Sequence, residues 1–576
     1  MVNKTLIISK VRKLDKVYVA TIACFILLMY ISKMSANTSQ YVWLITNNLV
    51  GVAVTFIMLS VYPIKDFLRP FYIIWTVLGI AGTIGGYFFW YAHQVDFLVY
   101  VCVTIPLNIW FLGAVVFKYI EEIFIKKSFK LSFSKWEPVY VACMLLMVLS
   151  VSNTFWPFYY LIIFLLLWHT PFSREQKHNL LLGIVDGLLV GIAILQCFAF
   201  IYTPYLDVRY IGIYNNCNRN SCLYLVALVA MLAKKHIYRI SHIGDDQGDN
   251  KKTDKALLIF DLLTALVFAF IFFTGSRTGI LGTAIIMLIY YFFSEYRFFK
   301  QGIKKLVVKS LAYLAMTVVI VPILYFPIRY LPEIRPFVRV VAKNIIRGTD
   351  APFHPVGGVE FKNAVTYPFL RFFESGQPTD NEEEQPEDEI DVEIVEEVDE
   401  TEEVIEIVPD PSGRYYTLMY DFMYYPERGM FTTRVPKNIY IGLNTIDCRI
   451  NIAAALIDQM NLVGHRDNEI IMRILSDVPS TPQVYSNNEQ NYALHYLYVY
   501  GVPIGILVLI LMISEVICLI RRSLGGKADG TVFLLLVSVY FVFGLTEIVW
   551  VPGQIEQLLL FFAPLFFDSF DSVVAA

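Results

Sequence analysis

Charge is scarce in this chain. Asp, Glu, Lys and Arg together make up 17% of its 576 residues, against 57% hydrophobic and 15% aromatic residues. Soluble domains carry about 25% charge, so a water-soluble globular protein is excluded and the recurring apolar runs must face lipid or one another. Cysteine offers no metal site: the eight cysteines are scattered, most of them inside apolar runs, and no CxxC occurs. Cys217 and Cys222 are close enough for an external disulfide, although packing is the plainer role. A cleavable signal peptide is not expected, because the first apolar run follows Lys4, Lys10, Arg12, Lys13 and Lys16 and no small-residue cleavage site closes it. Lys and Arg are absent between Glu374 and Asp410, where acidic residues fill about half the positions. Such a segment repels itself and buries little apolar area, and it lacks the spaced ligands and central glycine of a calcium loop. The net charge of −4 averages this insert with basic loops elsewhere.

What is abundant is apolar sequence of membrane-spanning length. Runs near 18–33, 41–62, 71–91, 97–117, 138–150, 157–169, 180–203, 213–233, 256–273, 278–294, 307–326, 493–519, 531–548 and 554–568 predict an all-α polytopic membrane protein. The count is about 14 spans, or 12 if the short pair around Asn153 is re-entrant. The expected organisation is a cytoplasmic N-terminus (1–17), an N-terminal transmembrane bundle (18–326), one large loop domain (327–492) carrying the acidic insert 374–410, and C-terminal transmembrane helices (493–576). Basic residues are held on the cytoplasmic side of short loops. With the N-terminus inside, every even-numbered loop is basic, as in Lys65 and Arg69, in Lys234, Lys235 and Arg239, and in Arg521, Arg522 and Lys527. The short loops of the other side hold only Lys33, Arg209, Arg219 and Arg277. Both termini are therefore expected in the cytoplasm and the large loop outside.

Arg277 is the one charged residue between Asp261 and Glu295. A guanidinium stays protonated, and in a bilayer it costs several kcal/mol unless it reaches an interface or a polar cavity. It lies in the turn Thr274-Gly275-Ser276-Arg277-Thr278-Gly279, where Ser276 and Arg277 can bind phosphate oxygens and the glycines permit close backbone approach; an arginine reaching for headgroups is the plainer explanation. A second group, Asn215-Asn216-Cys217-Asn218-Arg219-Asn220, opens a span, where amides and a guanidinium at a helix N-terminus suit an anion. Helix capping by asparagine competes with that reading. A third precedes the span at 493: Glu489, Gln490 and Asn491, with His495 following, suit sugar hydroxyls, which need paired donors and acceptors and an apolar face. Within the loop, Arg414, Arg449, His465 and Arg466 are further candidates, although a lone histidine is more often structural.

The order of these motifs carries a resemblance. An NRN before a span, an SR in a tight external turn, a long loop containing LVGH at Leu462–His465, and then QNYALHYLYVYGVPIG from Gln490 resemble the O-antigen ligase and polymerase superfamily. The resemblance runs from about Gly212 to Ile510; before that the chain agrees only in general character. It implies a metal-independent, cofactor-free glycosyltransferase of the cytoplasmic membrane. The implied donor is a saccharide on polyprenyl diphosphate, and the acceptor is a growing lipid-linked chain in polymerases or lipid A core in ligases. A flippase and a chain-length regulator are the implied neighbours, membrane lipid the surroundings, and nucleic acid plays no part. Arg277 matches the arginine of the SR motif, Arg449 or Arg414 the loop arginine before LVGH, and Asn491 the asparagine of a His-Asn pair. Gln490 stands where many members, ligases above all, have histidine, which favours a polymerase. Glutamine cannot act as a general base; either His495, His465 or Glu489 takes that role, or the reaction relies on positioning and leaving-group stabilisation.

The chemistry follows from charge. A diphosphate leaving an anomeric carbon gathers negative charge that fixed guanidiniums stabilise in a water-poor site, and the attacking hydroxyl needs a weak base or a loose, oxocarbenium-like transition state. Asp467-Asn468-Glu469, the one closely spaced acidic pair of the loop outside the insert, is a poor basis for a metal-dependent transferase. A lipid-linked oligosaccharide flippase is the rival of another class. Transporters place ionisable groups near the midplane of several spans, whereas Asp186, Asp261 and Glu515 are expected near cytoplasmic ends. A non-enzymatic envelope scaffold, with the acidic insert as its recognition element, is the third reading.

Overall fold

The structure is a computed structural model that describes residues 15–35, 40–93, 96–127, 137–150, 156–202, 209–210, 212–214, 217–242, 250–331, 361–366, 457, 460–465, 471–472, 484–485, 491–545 and 554–567. Among these, nine helices are long and apolar enough to cross a membrane, and five shorter apolar helices occupy the other predicted positions. In chain order, with the short helix α12 added, they are α1 (Lys16–Ser35), α2 (Gln40–Ser60), α3 (Pro70–His93), α4 (Ile105–Ile120, flanked by π-turns Tyr100–Thr104 and Glu121–Ile125), α5 (Glu137–Leu149), α6 (Trp156–His169), α7 (Arg174–Tyr202), α8 (Cys217–Ser241), α9 (Asn250–Phe273), α10 (Arg277–Tyr290, continued by the π-turn Tyr291–Tyr296), α11 (Ile303–Tyr330), α12 (Tyr492–Val499), α13 (Val502–Leu524), α14 (Ala528–Gly544) and α15 (Ile555–Phe562). The predicted loop domain 327–492 lies almost wholly outside the described residues, apart from short pieces such as the strand pair Ile471–Met472 and Val484–Tyr485.

Helices meet where side chains are small. In lipid the hydrophobic effect does not drive helices together, so close backbone approach and dispersion decide which faces pair. Helices α1 and α7 run parallel along Gly183, Gly187 and Gly191, one glycine per turn. A Cβ there would stand 2.6 Å from Thr21, 2.6 Å from Phe25 and 2.8 Å from Met29. In contrast, α3 and α11 turn Ile74, Phe88, Val308 and Leu314 outward, the faces that lipid covers. Helix α15 occupies the centre, and every one of its residues is buried. The indole of Trp168 donates to Phe561 O (3.0 Å), Lys177 reaches Leu565 O (3.0 Å), and Phe25 and Phe164 stack around Phe561 and Phe562.

One end of the bundle is tied by buried and part-buried ion pairs. Asp186 accepts from Lys234 (2.6 Å) and from the Tyr18 hydroxyl (2.7 Å), joining α7, α8 and α1. Asp261 pairs with Lys235 and accepts from Tyr313 (2.5 Å), joining α9, α8 and α11. Glu295, fully buried, accepts from Arg239 (2.6 Å), Lys309 (2.8 Å) and Tyr290 (2.9 Å). Lys118, also fully buried, bridges Asp66 and Glu121 at 3.1 Å each, and Arg69 caps Glu121 at 2.6 Å. Glu121 and Glu295 both sit in π-turns, wider coils that often mark sites where a side chain must be re-aimed.

Two expectations are corrected. The run 493–519 is not one span: α12 ends at Val499, the chain turns at Tyr500-Gly501 with Gly501 at φ 85°, and α13 starts afresh at Val502. Pro503 at the head of α13 suits a helix start, where its missing N–H costs nothing. As a result Glu515 lies near the middle of α13 rather than at a cytoplasmic end. It lines a cavity of about 30 Å³ with Tyr140, Met144, Tyr496, Leu511 and Phe561.

Candidate functional site

The opposite end of the bundle gathers the polar motifs. Ser276 caps α10 by accepting from the Gly279 amide (3.2 Å) and is buried. Gly275 makes the turn at φ 57°, and Arg277 is the first helical residue, half-buried. The α10 face beyond it packs on α8: a Cβ on Gly279 would stand 2.7 Å from Ser221 Oγ, and one on Gly282 would stand 2.8 Å from Leu225. The two helices therefore run parallel and in register. Arg277 precedes Gly279 by two residues and Arg219 precedes Ser221 by two, so the two arginines stand at the same height on neighbouring helices.

Arg209 staples this arrangement. Its Nε donates to Thr274 O (2.9 Å) and its Nη2 to Asn218 Oδ1 (3.0 Å), while Tyr210 N donates to Phe273 O (2.9 Å). Asn220, fully buried, accepts from Ile213 N (2.9 Å). Asn218 and Asn220 thus hold the chain entering α8, the structural role that competed for them in the sequence. Arg219 points elsewhere: its Nη1 donates to Gln554 Oε1 (2.7 Å) at the head of α15. Arg209 had no assigned role in the sequence reading, because a single basic residue in a short loop carries no signal until its acceptors are known.

Asn491, expected in catalysis, is the N-cap of α12. Its Oδ1 accepts from Ala493 N (2.9 Å) and Leu494 N (3.1 Å), and its Nδ2 donates to Leu545 O (2.9 Å) at the end of α14. His495 lies one turn on, its ring 6.2 Å from that of Tyr500. His465 is brought to the same helix, because Asn461–His465 interlocks with the turn between α12 and α13. His465 N donates to Val499 O (3.0 Å), and Val502 N donates to Asn461 O (2.9 Å). The His465 ring stacks on Tyr498 with centroids 4.0 Å apart, Nδ1 lies 3.1 Å from Tyr498 O and Nε2 lies 3.2 Å from Asn461 Nδ2. Both ring nitrogens are thus engaged within the joint, so His465 serves the joint before it can serve as a base.

The joint needs its glycines. Gly464 and Gly501 lie at φ 87° and 85°, and a Cβ on Gly501 would stand 2.5 Å from Leu462 O. Gly501→Ala is expected to destabilise this joint by about 2–3 kcal/mol, from left-handed backbone strain together with the overlap. The check is the thermal unfolding midpoint of the purified protein beside Gly525→Ala, which is unstrained and should leave it unchanged.

Arg414, Arg449, Arg466, Glu489 and Gln490 lie outside the described residues. Helix α14 connects what is described: Val542 packs against Gly282 of α10, and Leu545 receives Asn491. Gln554, Glu556 and Gln557 are not among the expected site residues, although three polar residues open an otherwise apolar last span. The assembled face has two guanidiniums at two parallel helix N-termini. A cation there opposes the helix dipole, and a bound anion would reverse the sign of that interaction. Comparison with protein-family models, with curated proteins and with solved structures returned no match for this chain.

Proposed function

We propose that this protein is a membrane glycosyltransferase that polymerises polyprenyl-diphosphate-linked oligosaccharide units at the outer face of the cytoplasmic membrane. The observation that carries the reading is Arg219 and Arg277, level with each other on parallel helices and stapled through Arg209, at the end away from the basic cluster. Such a pair suits a diphosphate, whose charge grows as the anomeric C–O bond breaks, and guanidiniums aimed at developing charge lower the barrier most in a water-poor site. Sidedness rests on the positive-inside rule: Lys118, Lys234, Lys235, Arg239 and Lys309 share one end, which is read as cytoplasmic, leaving the arginine pair outside. Ligation of finished chains to a lipid or wall acceptor uses the same donor chemistry and is the nearest alternative. A flippase is favoured by one observation only, the buried carboxylate of Glu515 on a cavity inside the bundle.

Deleting the gene and analysing the surface polysaccharide separates these readings. A polymerase predicts loss of long chains with single units retained. Complete chains stranded on the polyprenyl carrier would mean a ligase, and single units confined to the cytoplasmic leaflet a flippase.

A further inference from the structure

The first turn of α15 holds more unsatisfied polarity than its surroundings explain. Glu556 and Gln557 are 4% and 0% exposed. Glu556 Oε1 accepts from the Cys222 thiol (3.2 Å). Its Oε2, and both amide atoms of Gln557, have no hydrogen-bond partner among the described residues. Buried polar atoms in folded proteins are paired with protein, water or ligand almost without exception, so three such atoms on consecutive residues call for a partner beyond the described residues. The turn belongs to the arginine face: Gln554, just before it, receives Arg219, and Ile555 N donates to Ser32 Oγ (3.2 Å), which lies 3.1 Å from the Tyr214 hydroxyl. Glu556 is about 3 Å deeper along the helix than Gln554.

The other buried carboxylates are committed or misplaced. Asp66, Glu121, Glu295 and Asp529 are held by lysine or arginine and Glu137 lies 3.3 Å from His169, while the part-buried Asp186 and Asp261 pair with Lys234 and Lys235. Glu515 faces a cavity walled mostly by Met, Leu and Phe near mid-bundle. Among the described residues, Glu556 alone combines an open oxygen with a position next to the residue that receives Arg219. A carboxylate next to an amide that offers both a donor and an acceptor is the donor set that vicinal sugar hydroxyls require.

We infer that the first turn of α15 is the acceptor-hydroxyl subsite of the transferase proposed above, with Gln557 holding one hydroxyl of the acceptor sugar and Glu556 taking the proton of its neighbour. This rests on the transferase reading and supplies the base that Gln490 cannot be. In the step, the acceptor oxygen forms its bond to the anomeric carbon as its proton passes to Glu556 Oε2. The anomeric C–O bond breaks with its electron pair going to the diphosphate, which leaves on the polyprenyl carrier against Arg219 and Arg277. Glu556 then returns the proton to water.

The test uses full-length protein in nanodiscs and, as substrate, the lipid-linked saccharide extracted from the gene-deleted strain. Glu556→Gln is expected to lower kcat by at least about 10²-fold, the usual contribution of a positioned base, with KM within threefold, and Glu556→Asp to restore part of it. A fall in thermal midpoint without this kcat-against-KM split, or a rise in KM alone, would overturn the proton role. Should Glu556→Gln fail to fold, Gln557→Leu decides: a tenfold or larger rise in KM supports the subsite and an unchanged KM overturns it. Arg277→Lys runs in parallel. If it is inactive while Glu556→Gln is active, this inference fails and the transferase stands; if Arg277→Lys is fully active, the transferase reading fails and the subsite with it.

Discussion

Arg277→Lys and Arg277→Ala are each expected to lower chain assembly by about 10²–10³-fold, the loss that follows removal of one preorganised donor from a developing oxyanion, while protein levels in the membrane stay unchanged. The second half of the prediction comes from the fold. Arg277 is the first residue of α10, capped by Ser276, and a cation at that end opposes the helix dipole by about 0.3–1 kcal/mol. Its removal therefore takes an unfavourable charge–dipole interaction away from the head of α10. Lysine keeps the charge but loses the planar fork that grips two phosphate oxygens, so it should not rescue. Long surface polysaccharide on cells carrying either variant, with the variant protein immunoblotted at normal levels, would defeat the assignment.

Glu295→Ala should do the opposite, destabilising the protein by about 2–4 kcal/mol, because it strands two part-buried cations that share one fully buried carboxylate. Arg239 and Lys309 reach the same carboxylate from α8 and α11, and Tyr290 donates to it from α10, so the loss loosens three helices at once. A thermal melt of detergent-purified protein reads it directly. Replacing the group together, as Glu295→Leu with Arg239→Met and Lys309→Met, is expected to recover most of the loss, since no unpaired charge remains. Any fall in polymer length in Glu295→Ala would then follow the fall in stability, whereas in Arg277→Lys it would not.

The positions of the apolar helices were legible from composition, because crossing a bilayer is decided residue by residue through transfer out of water. The exception is instructive. In the run from 493 to 519 every window is apolar, yet the chain turns at Gly501, and only the docking of Asn461–His465 against Val499–Val502 explains why a left-handed glycine is needed there. The motifs NRN, SR, LVGH and QNYALH were visible, but not their division of labour. Asn218, Asn220, Asn491 and His465 turn out to hold neighbouring loops and helix ends in place, while Arg219 reaches the head of α15 and Arg277 opens α10.

By itself, then, the sequence determined that the chain is a helical multi-pass membrane protein, where its apolar helices lie apart from the break at Gly501, and which end of the bundle carries its basic residues. These follow from local hydropathy and from charges counted along the chain. Which residues meet was decided by tertiary structure alone. Arg219 and Gln554 bond across 335 residues, and Cys222 and Glu556 across 334, through packing set by small side chains and by buried polar groups that lipid cannot satisfy. No periodicity within one helix records its partner, so the polar first turn of the central helix α15 and the ion pairs beneath it became visible only once the bundle was assembled.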